Sequence, residues 1–125
     1  MSTIKEISEQ TGISPYTLRF YEREGILPCV KRDSSGNRLY DEESMEWLNF
    51  ILALRATGMP LSEIRRYVEL YQEGESTLDI RKQMMLRHKE KVEKDLSETI
   101  KHLEQINYKL ALYDMQGKGL GKMLP

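Results

Sequence analysis

The first stretch of the chain carries a short apolar stripe behind a polar cap. Thr3 and Glu6 stand at the spacing of a capping box, and Ile4 and Ile7 lie three residues apart on one face. A Thr-Gly pair then interrupts the pattern. The pattern therefore predicts a short helix over about 4–10.

A second short helix is predicted almost directly after that break. Ser14 is a natural N-cap, Pro15 occupies the first helical position, where its missing N–H costs nothing, and Gly25 ends the helix. Two short helices joined by a turn of a few residues that contains glycine form a helix-turn-helix.

A turn-rich stretch over residues 32–38 lies between strand-like pieces at Val30 and at Leu39 and Tyr40. This pattern is typical of a small β-hairpin. A hairpin directly after a helix-turn-helix is the arrangement called a wing. Its tip carries three basic residues, which are Lys31, Arg32 and Arg38.

Two amphipathic helices are predicted next. The first is capped by Asp41 and ends at Gly58, and the second begins at Pro60 and ends at residues 73–74. Trp47 and Phe50 are expected in the core, because aromatic residues at helical spacing are usually buried. The other expected core residues of these helices are Met45, Leu48, Ile51, Leu52, Leu54, Leu61, Ile64, Val68 and Tyr71.

The last segment contains no Gly or Pro from a cap at residues 76–79 to Gln116. This predicts one helix about 60 Å long. Its apolar residues alternate at spacings of mostly three and four, as in the seam of a coiled coil. The seam consists of Met85, Val92, Leu96, Thr99, Leu103, Ile106, Leu110 and Tyr113.

A helix of this length extends beyond the domain that precedes it. Its seam is therefore expected to pack against a second copy of the chain in a two-fold homodimer. We predict a winged helix-turn-helix domain over residues 1–75, a dimerisation helix over residues 76–116 and a flexible tail over residues 117–125.

The whole-chain charge at first argues against a nucleic-acid partner. The chain has 19 Lys and Arg against 20 Asp and Glu, a net charge of −1, whereas DNA-binding domains usually carry a basic surplus. Within residues 14–40, however, five basic side chains outnumber three acidic ones. A local basic patch therefore lies on the predicted helix-turn-helix and wing.

Composition narrows the class of protein further. No apolar run approaches the roughly 20 residues that span a bilayer, and the start lacks the apolar core of a signal peptide, so we expect a soluble, cytoplasmic protein. Cys29 is the only cysteine, which rules out an internal disulfide and a structural zinc site. No paired carboxylates, Ser/His/Asp spacing or phosphate-binding glycine loop indicates an enzyme, and we expect no cofactor.

Three segments, in this order, resemble MerR-family transcription regulators. They are residues 4–28, which include TGISPYTLRFYEREGILP, residues 36–41, GNRLYD, and residues 55–64, RATGMPLSEI. The resemblance is closest to the short AdhR- and NmlR-like regulators. It implies a mainly α fold with a small β-hairpin wing, in which a winged helix-turn-helix lobe precedes a long dimerisation helix that forms an antiparallel coiled coil.

The second helix of a helix-turn-helix places its N-terminal residues in the major groove and its later residues near phosphates. The resemblance supports a place on the DNA face for Phe20 and Tyr21. Phe20 has no hydroxyl to donate, and a core position is its equal alternative. The candidates on this helix are Ser14, Tyr16, Thr17, Arg19, Phe20, Tyr21 and Arg23.

The wing and a later helix supply the other candidates. Arg38 and Tyr40 match the family's Gly-x-Arg-x-Tyr pattern, which implies contact with the DNA backbone or minor groove. Lys31 and Arg32 add electrostatic attraction to phosphates.

Leu61 and Ser62 stand at the start of the helix after Pro60. They are expected to aim backbone N–H groups and the positive end of the helix at a phosphate. Capping alone is the alternative.

Cys29 lies between the second helix and the wing. Metal sensors of the family carry cysteine ligands near the end of the dimerisation helix, where this chain has none, so no metal site is expected. Electrophile sensors carry a cysteine at the position of Ala53. Lys31 and Arg32 favour the thiolate of Cys29, which makes it a candidate thiol sensor, with a linker residue that has no chemistry as the alternative.

We therefore expect a sequence-specific regulator that binds double-stranded promoter DNA as a homodimer. The resemblance implies that it distorts the DNA in response to a signal and acts on RNA polymerase indirectly, through that distortion; the inducer stays open. The alternative is a coiled-coil protein-interaction adaptor without DNA-regulatory activity, which the acidic front half of the chain supports. Salt-dependent binding of duplex DNA distinguishes the two hypotheses.

Overall fold

The computed structural model describes residues 1–118 and is mainly helical, with one small antiparallel sheet. A single 3₁₀ turn, Glu75–Thr77, precedes the last helix. The elements are β1 (Ser2–Thr3), α1 (Ile4–Thr11), α2 (Pro15–Arg23), β2 (Lys31–Arg32), β3 (Arg38–Tyr40), α3 (Glu42–Ala56), α4 (Leu61–Glu73) and α5 (Leu78–Gly117). This confirms the predicted mainly α fold with a small β-hairpin and one long last helix. The predicted tail, apart from its first two residues, lies outside the described part.

The chain divides into two compact units, the first over residues 1–85 and the second from residue 86 onward. The first unit includes the start of α5, because Met85 packs against the core of that unit. Met85 is therefore a core-contacting residue, whereas the sequence pattern assigned it to the coiled-coil seam.

The helix-turn-helix forms as predicted because each of its ends is fixed locally. The Thr3 hydroxyl accepts the backbone N–H of Glu6 at 3.2 Å and completes a capping box. Gly12 ends α1 with φ 74°, a left-handed conformation in which a residue without a side chain avoids a steric cost. The Ser14 hydroxyl then accepts the backbone N–H of Thr17 at 3.1 Å and begins α2.

The sheet has one more strand than the sequence predicts. β1 pairs with β3, with Ser2 opposite Tyr40 and Thr3 opposite Leu39, and β2 pairs with the other edge of β3. The first residues of the chain therefore tie α1 to the wing. A strand of two residues has no periodicity of its own, and its pairing depends on a partner far along the chain.

The core of the first unit lies where α1, α2, α3 and α4 meet the loop after α2. Most of the apolar stripe expected on α3 and α4 is buried there, and Met45, Leu52 and Leu61 are partly buried against it. The fully buried apolar side chains are Ile7, Leu18, Ile26, Leu27, Tyr40, Leu48, Ile51, Met59, Ile64, Val68 and Leu70.

Three aromatic residues expected in the core lie at its edge instead. Trp47 and Phe50 are partly exposed, and Tyr71 is 39% exposed. Leu70 takes the buried position that the pattern assigned to Tyr71. The three rings belong to an aromatic cluster on the surface of the first unit.

The connection from α4 to α5 differs from the predicted cap. Thr77 is buried, and its hydroxyl lies within hydrogen-bond distance of two carbonyl oxygens, that of Leu70 at 2.6 Å and that of Gly74 at 2.8 Å, which share its one donor hydrogen. The hydroxyl thus closes the end of α4 and holds the 3₁₀ turn against it.

The second unit consists of the remainder of α5. Five of the predicted seam residues in it are between 45% and 59% exposed: Leu96, Leu103, Ile106, Leu110 and Tyr113. Thr99 is also exposed and Val92 is half-buried. A continuous row of apolar side chains thus faces solvent in the single chain.

Candidate nucleic-acid interface

One face of α2 points its polar side chains to solvent while the other packs in the core. Tyr16 is 73% exposed, and Ser14 and Arg19 are also exposed. Thr17 is half-buried, and its hydroxyl oxygen lies 3.0 Å from the donating hydroxyl of Ser14. The N-terminal half of α2 therefore presents a phenol, hydroxyls and a guanidinium, which are groups suited to base edges and phosphates.

Tyr21 lies in the core and not on the exposed face of α2 where the sequence placed it. It is only 8% exposed and belongs to the core cluster, where it lies on the same side of α2 as the fully buried Leu18. The spacing of three residues places both side chains on the helix face that packs inward.

Tyr40 is also buried, although the sequence placed it among the DNA contacts of the wing. Its side chain is 1% exposed, and its buried hydroxyl makes no hydrogen bond among the described residues. Burial raises the pKa of this phenol, so the hydroxyl stays protonated. Tyr40 therefore supports the wing from beneath instead of contacting DNA.

Phe20 and Arg23 form a pair at the later part of α2. Phe20 is partly buried against the core, and the Arg23 guanidinium carbon lies 5.8 Å from the centre of its ring. Arg23 also pairs with Glu24 at 3.7 Å and stays 60% exposed. Phe20 thus serves as an apolar support that holds a cation at the surface.

The wing is fastened to α2 by one acidic side chain. Glu22 accepts a hydrogen bond from Nε of Arg38 and pairs with the guanidinium of Arg32 at 3.1 Å. Arg32 also donates to the Gly36 carbonyl at 3.0 Å, inside the wing. Two of the three predicted wing cations therefore share a single carboxylate.

The wing turn is held by Asp33. Its carboxylate accepts the backbone N–H groups of Ser35, at 2.9 Å, and Asn37, at 2.8 Å, and these bonds lower the pKa of Asp33. Gly36 follows with φ 82°. The turn is thus preorganised with its backbone hydrogen bonds made internally.

Lys31 lies in a different environment from the two arginines. Its ammonium pairs with Asp41 at 3.3 Å and Glu43 at 3.7 Å, and it donates to the Cys29 carbonyl at 2.8 Å. All three wing cations are therefore matched by carboxylates before any DNA is bound.

A groove of about 310 Å³ lies between α1, α2 and the wing. Its charged and amide side chains are Lys5, Arg19, Asp33, Asn37 and Arg38, so three cations and one carboxylate line it. Lys5 is exposed and was not among the predicted contacts, because β1, which the sequence did not reveal, is the element that brings the start of α1 to the wing. Among the described residues no hydrogen bond or ion pair engages Lys5 or Arg19, so both cations stay available for phosphates.

The predicted contacts Leu61 and Ser62 lie in the first turn of α4. Pro60 is the N-cap and supplies no side-chain hydrogen bond to the first turn. Ser62 is exposed, while Leu61 is half-buried against the core. The first backbone N–H groups of α4 therefore lack a side-chain cap, and the phosphate contact expected of this segment stays a prediction.

The environment of Cys29 favours the protonated thiol and not the thiolate that the sequence led us to expect. Burial and a hydrogen bond from its thiol to Glu43, at 2.9 Å, raise the pKa of Cys29 from 9.0 to about 11, and the attraction of Lys31 does not offset them. A thiol with this pKa is protonated at neutral pH and is a poor nucleophile. The expected activation of the thiol was therefore wrong, because burial and the neighbouring Glu43 carboxylate outweigh the attraction of Lys31 for a thiolate.

Within residues 1–118, no three His, Cys, Asp or Glu side chains gather as metal ligands would. No helix in the same range has the length and apolar character needed to cross a membrane.

A helix-turn-helix with an exposed, cation-bearing second helix and an attached β-hairpin defines a DNA-binding protein of the winged-helix class. Residues 2–70 match the family described as MerR HTH family regulatory protein, and residues 45–107 match the one described as MerR, DNA binding. The chain belongs to the MerR family of transcriptional regulators.

Similar proteins support this assignment over nearly the whole chain. An HTH-type transcriptional regulator of Haemophilus influenzae is 37% identical over 121 residues, which cover 97% of this chain and 89% of that protein. The regulator AdhR of Bacillus subtilis is 38% identical over 89 residues, 71% of this chain and 64% of AdhR. These relatives are transcriptional regulators, and the adaptor alternative is not favoured.

Solved structures agree with the fold. HiNmlR, a MerR-family regulator lacking the sensor domain and solved bound to promoter DNA, superposes with a TM-score of 0.86 at 37% identity, covering 94% of this chain and 93% of HiNmlR. A MerR-family transcriptional regulator from Bacillus thuringiensis gives a TM-score of 0.79 at 30% identity, covering 88% of this chain and 96% of that one.

Proposed function

We propose that this regulator binds promoter DNA as a homodimer and controls transcription by changing the shape of that DNA. The observation that carries the proposal is the exposed N-terminal face of α2 beside a cation-lined groove that continues onto the wing. HiNmlR, which is similar over nearly its whole length, was solved on promoter DNA. The double-stranded promoter is therefore the partner that the geometry fits best.

The proposed contacts fall into two groups. Ser14, Tyr16, Thr17 and Arg19 read base edges and adjacent phosphates in the major groove. The contacts to the sugar–phosphate backbone come from Lys5, Arg23, Lys31, Arg32, Arg38 and the helix start at Leu61 and Ser62.

Dimerisation is proposed from α5. The apolar seam in the second unit is about half exposed in the single chain, and burying it against a second copy removes that surface from water. A two-fold dimer presents two winged-helix lobes to one duplex and fixes the distance between the half-sites. An antiparallel coiled coil is the arrangement that we propose.

The dimer can be tested with a charge placed in the seam. Leu103→Glu is expected to make the protein monomeric, because each copy would bury a carboxylate at the interface. Ser97→Glu adds the same charge at an exposed position outside the predicted seam and should leave the dimer intact. Sedimentation velocity measures both; a Leu103→Glu protein that stays dimeric would place the interface elsewhere.

The regulatory step is proposed to act through DNA shape. Bending a promoter costs on the order of 1–6 kcal/mol by elastic estimates for DNA. Contacts between the protein and the phosphates offset this cost. RNA polymerase would respond to the distortion without direct contact. Since promoter DNA of the bacterial relatives lies in the cytoplasm, we propose that the protein works there.

DNA binding itself is tested by fluorescence anisotropy with an operator selected from genomic fragments. A scrambled duplex of the same length serves as the control. Affinity for the operator should exceed affinity for the scrambled duplex and fall steeply as salt is raised. Equal, weak binding of both duplexes at low salt would overturn the proposal.

A further inference from the structure

The first unit carries a second concave site, away from the residues proposed to bind DNA. It has a volume of about 230 Å³, and its lining consists of Glu46, Trp47, Phe50, Tyr67, Tyr71 and Arg81. These residues come from α3, α4 and the first turns of α5. The MerR-type contacts proposed above leave this site without a role.

The four rings form one continuous aromatic cluster. Trp47 and Tyr71 meet edge to face with ring centres 4.8 Å apart, and Tyr67 lies 6.2 Å from Trp47 and 5.8 Å from Phe50. Each ring stays partly accessible to solvent. A partly open group of rings in these orientations offers both faces and edges to a further aromatic ring.

A cation is already fixed at this cluster. The Arg81 guanidinium carbon lies 5.5 Å from the centre of the Tyr71 ring, while its Nε donates to the Thr77 hydroxyl at 3.0 Å and its Nη2 to the Gly74 carbonyl at 3.3 Å. No ion pair joins Arg81 to a carboxylate among residues 1–118. The guanidinium is thus half-buried, held in place and still unmatched in charge.

The only acidic side chain that lines the site is Glu46. It is exposed, and water and salt screen its charge more than that of the half-buried guanidinium. The net preference of the site is therefore for a negative group beside Arg81, with an aromatic ring against Trp47 and Tyr71. Its volume suits a ligand of one ring or two fused rings.

We propose that this site binds a small aromatic carboxylate. The carboxylate accepts hydrogen bonds from the guanidinium N–H groups of Arg81 that the protein leaves unused, and the ring packs edge to face in the cluster. The ligand would touch α3, α4 and α5 together, and so would favour one arrangement of these elements over another. An effect of the ligand on DNA affinity rests on the proposed function, whereas binding at the site does not.

Trp47 is the only tryptophan of the chain, so its fluorescence reports on this site directly. We would titrate the full-length protein, without DNA, with benzoate, its neutral analogue benzamide and the cation benzamidine. Benzoate should change the Trp47 emission to saturation and bind about tenfold more tightly than benzamide, the ratio expected for one charge-assisted hydrogen-bonded pair. Binding of benzamidine equal to or tighter than that of benzoate would overturn the proposed charge preference.

Arg81→Gln should remove the preference for benzoate over benzamide. Arg87→Gln makes the same change of charge at an exposed position on the same helix and should keep it. A benzoate affinity that is unchanged by Arg81→Gln would overturn the assignment. Because the comparison of the three probes uses the unaltered protein, it decides the question even if a variant folds poorly.

Two other outcomes are informative. If no probe changes the emission, but the emission shifts when dilution separates the dimer, then a second copy of the chain covers the site and the ligand proposal fails. If benzoate binds but leaves operator affinity unchanged within twofold, the site stands and its coupling to DNA is refuted. If the protein without benzoate does not bind the operator, the proposed function fails while the ligand site still stands.

Discussion

At the scale of single residues, the exposed guanidinium of Arg19 carries the clearest prediction. It faces solvent at the N-terminal half of α2, without an ion pair among the described residues. Arg19→Ala should weaken operator binding by about 1–3 kcal/mol, because a base or phosphate contact is lost. Arg87→Ala removes a cation from the exposed face of α5 and should change operator affinity little. Anisotropy titrations of both variants, with circular dichroism to verify folding, provide the measurement; equal affinities would move the DNA face away from Arg19.

Glu22 is the acidic residue with the greatest expected influence on DNA recognition. It holds Arg32 and Arg38 against α2 and also places a negative charge where phosphates would approach. Glu22→Gln should raise affinity for scrambled DNA and lower the ratio of operator to scrambled affinity about tenfold, because the wing loses its fixed position.

The control for Glu22 is Glu9→Gln, which removes one exposed negative charge from α1 without touching the wing. It should leave the ratio of affinities unchanged. If Glu22→Gln raises both affinities by the same factor, Glu22 acts only through its charge and does not position the wing.

Cys29 leads to a prediction about reactivity and pH. Its pKa of about 11 makes the thiolate about a hundredfold scarcer at neutral pH than for a thiol of pKa 9.0. Alkylation by iodoacetamide should therefore be slow at pH 7 and accelerate up to about pH 11. Glu43→Gln removes the negative charge near Sγ, lowers the pKa and should speed alkylation at pH 8, measured by mass spectrometry. A fast reaction of the unaltered protein at pH 7 would restore the thiol-sensor hypothesis.

At the scale of elements, the start of α3 links pH to stability. The backbone N–H and hydroxyl of Ser44 donate to the Asp41 carboxylate at 3.0 and 2.8 Å, which lowers the pKa of Asp41 from 3.8 to about 2. A lowered pKa in the folded state means that this contribution is present above about pH 4 and is lost as the pH falls toward 2.

Asp41→Asn should therefore lose less unfolding free energy between pH 4 and pH 2 than the unaltered protein does. Urea denaturation followed by circular dichroism at each pH measures the difference. Asp79→Asn, at an exposed position in the first turn of α5, is the control and should retain the full dependence. Parallel pH curves for Asp41→Asn and the unaltered protein would show that the cap does not hold the ionised carboxylate.

Elements whose ends are set by neighbouring residues could be predicted from the sequence. The cap at Ser14 and the glycine at residue 12 define the helix-turn-helix through hydrogen bonds within three or four residues. β1 could not be predicted, because its two residues gain their structure only by pairing with β3.

The candidate site could likewise be predicted only where local residue types and motif order define it. Residue types and motif order selected Arg19 and Arg38, which line the same groove. Burial of Tyr21 and Tyr40 depends on which face of α2 and β3 meets the core, and the pairing of Glu22 with Arg38 joins residues 16 positions apart. Contacts of this kind follow from tertiary packing and leave no periodic signal.

For the whole molecule, the net charge of −1 is compatible with DNA binding because the acidic and basic side chains are unevenly placed. The carboxylates of Glu22, Asp41 and Glu43 neutralise the wing cations, while Lys5 and Arg19 stay unmatched at the groove. Attraction to DNA of any sequence should therefore be weak, and we propose that specific binding comes from the two lobes of a dimer at a fixed separation.

The number of protomers bound to one operator decides whether the protein acts on DNA as a dimer. Sedimentation equilibrium with a labelled operator that contains both half-sites should give two protomers per duplex. A duplex with one half-site should bind at least about tenfold more weakly, because only one lobe is engaged. One protomer per operator, with equal affinity for the two duplexes, would contradict binding as a two-lobed dimer.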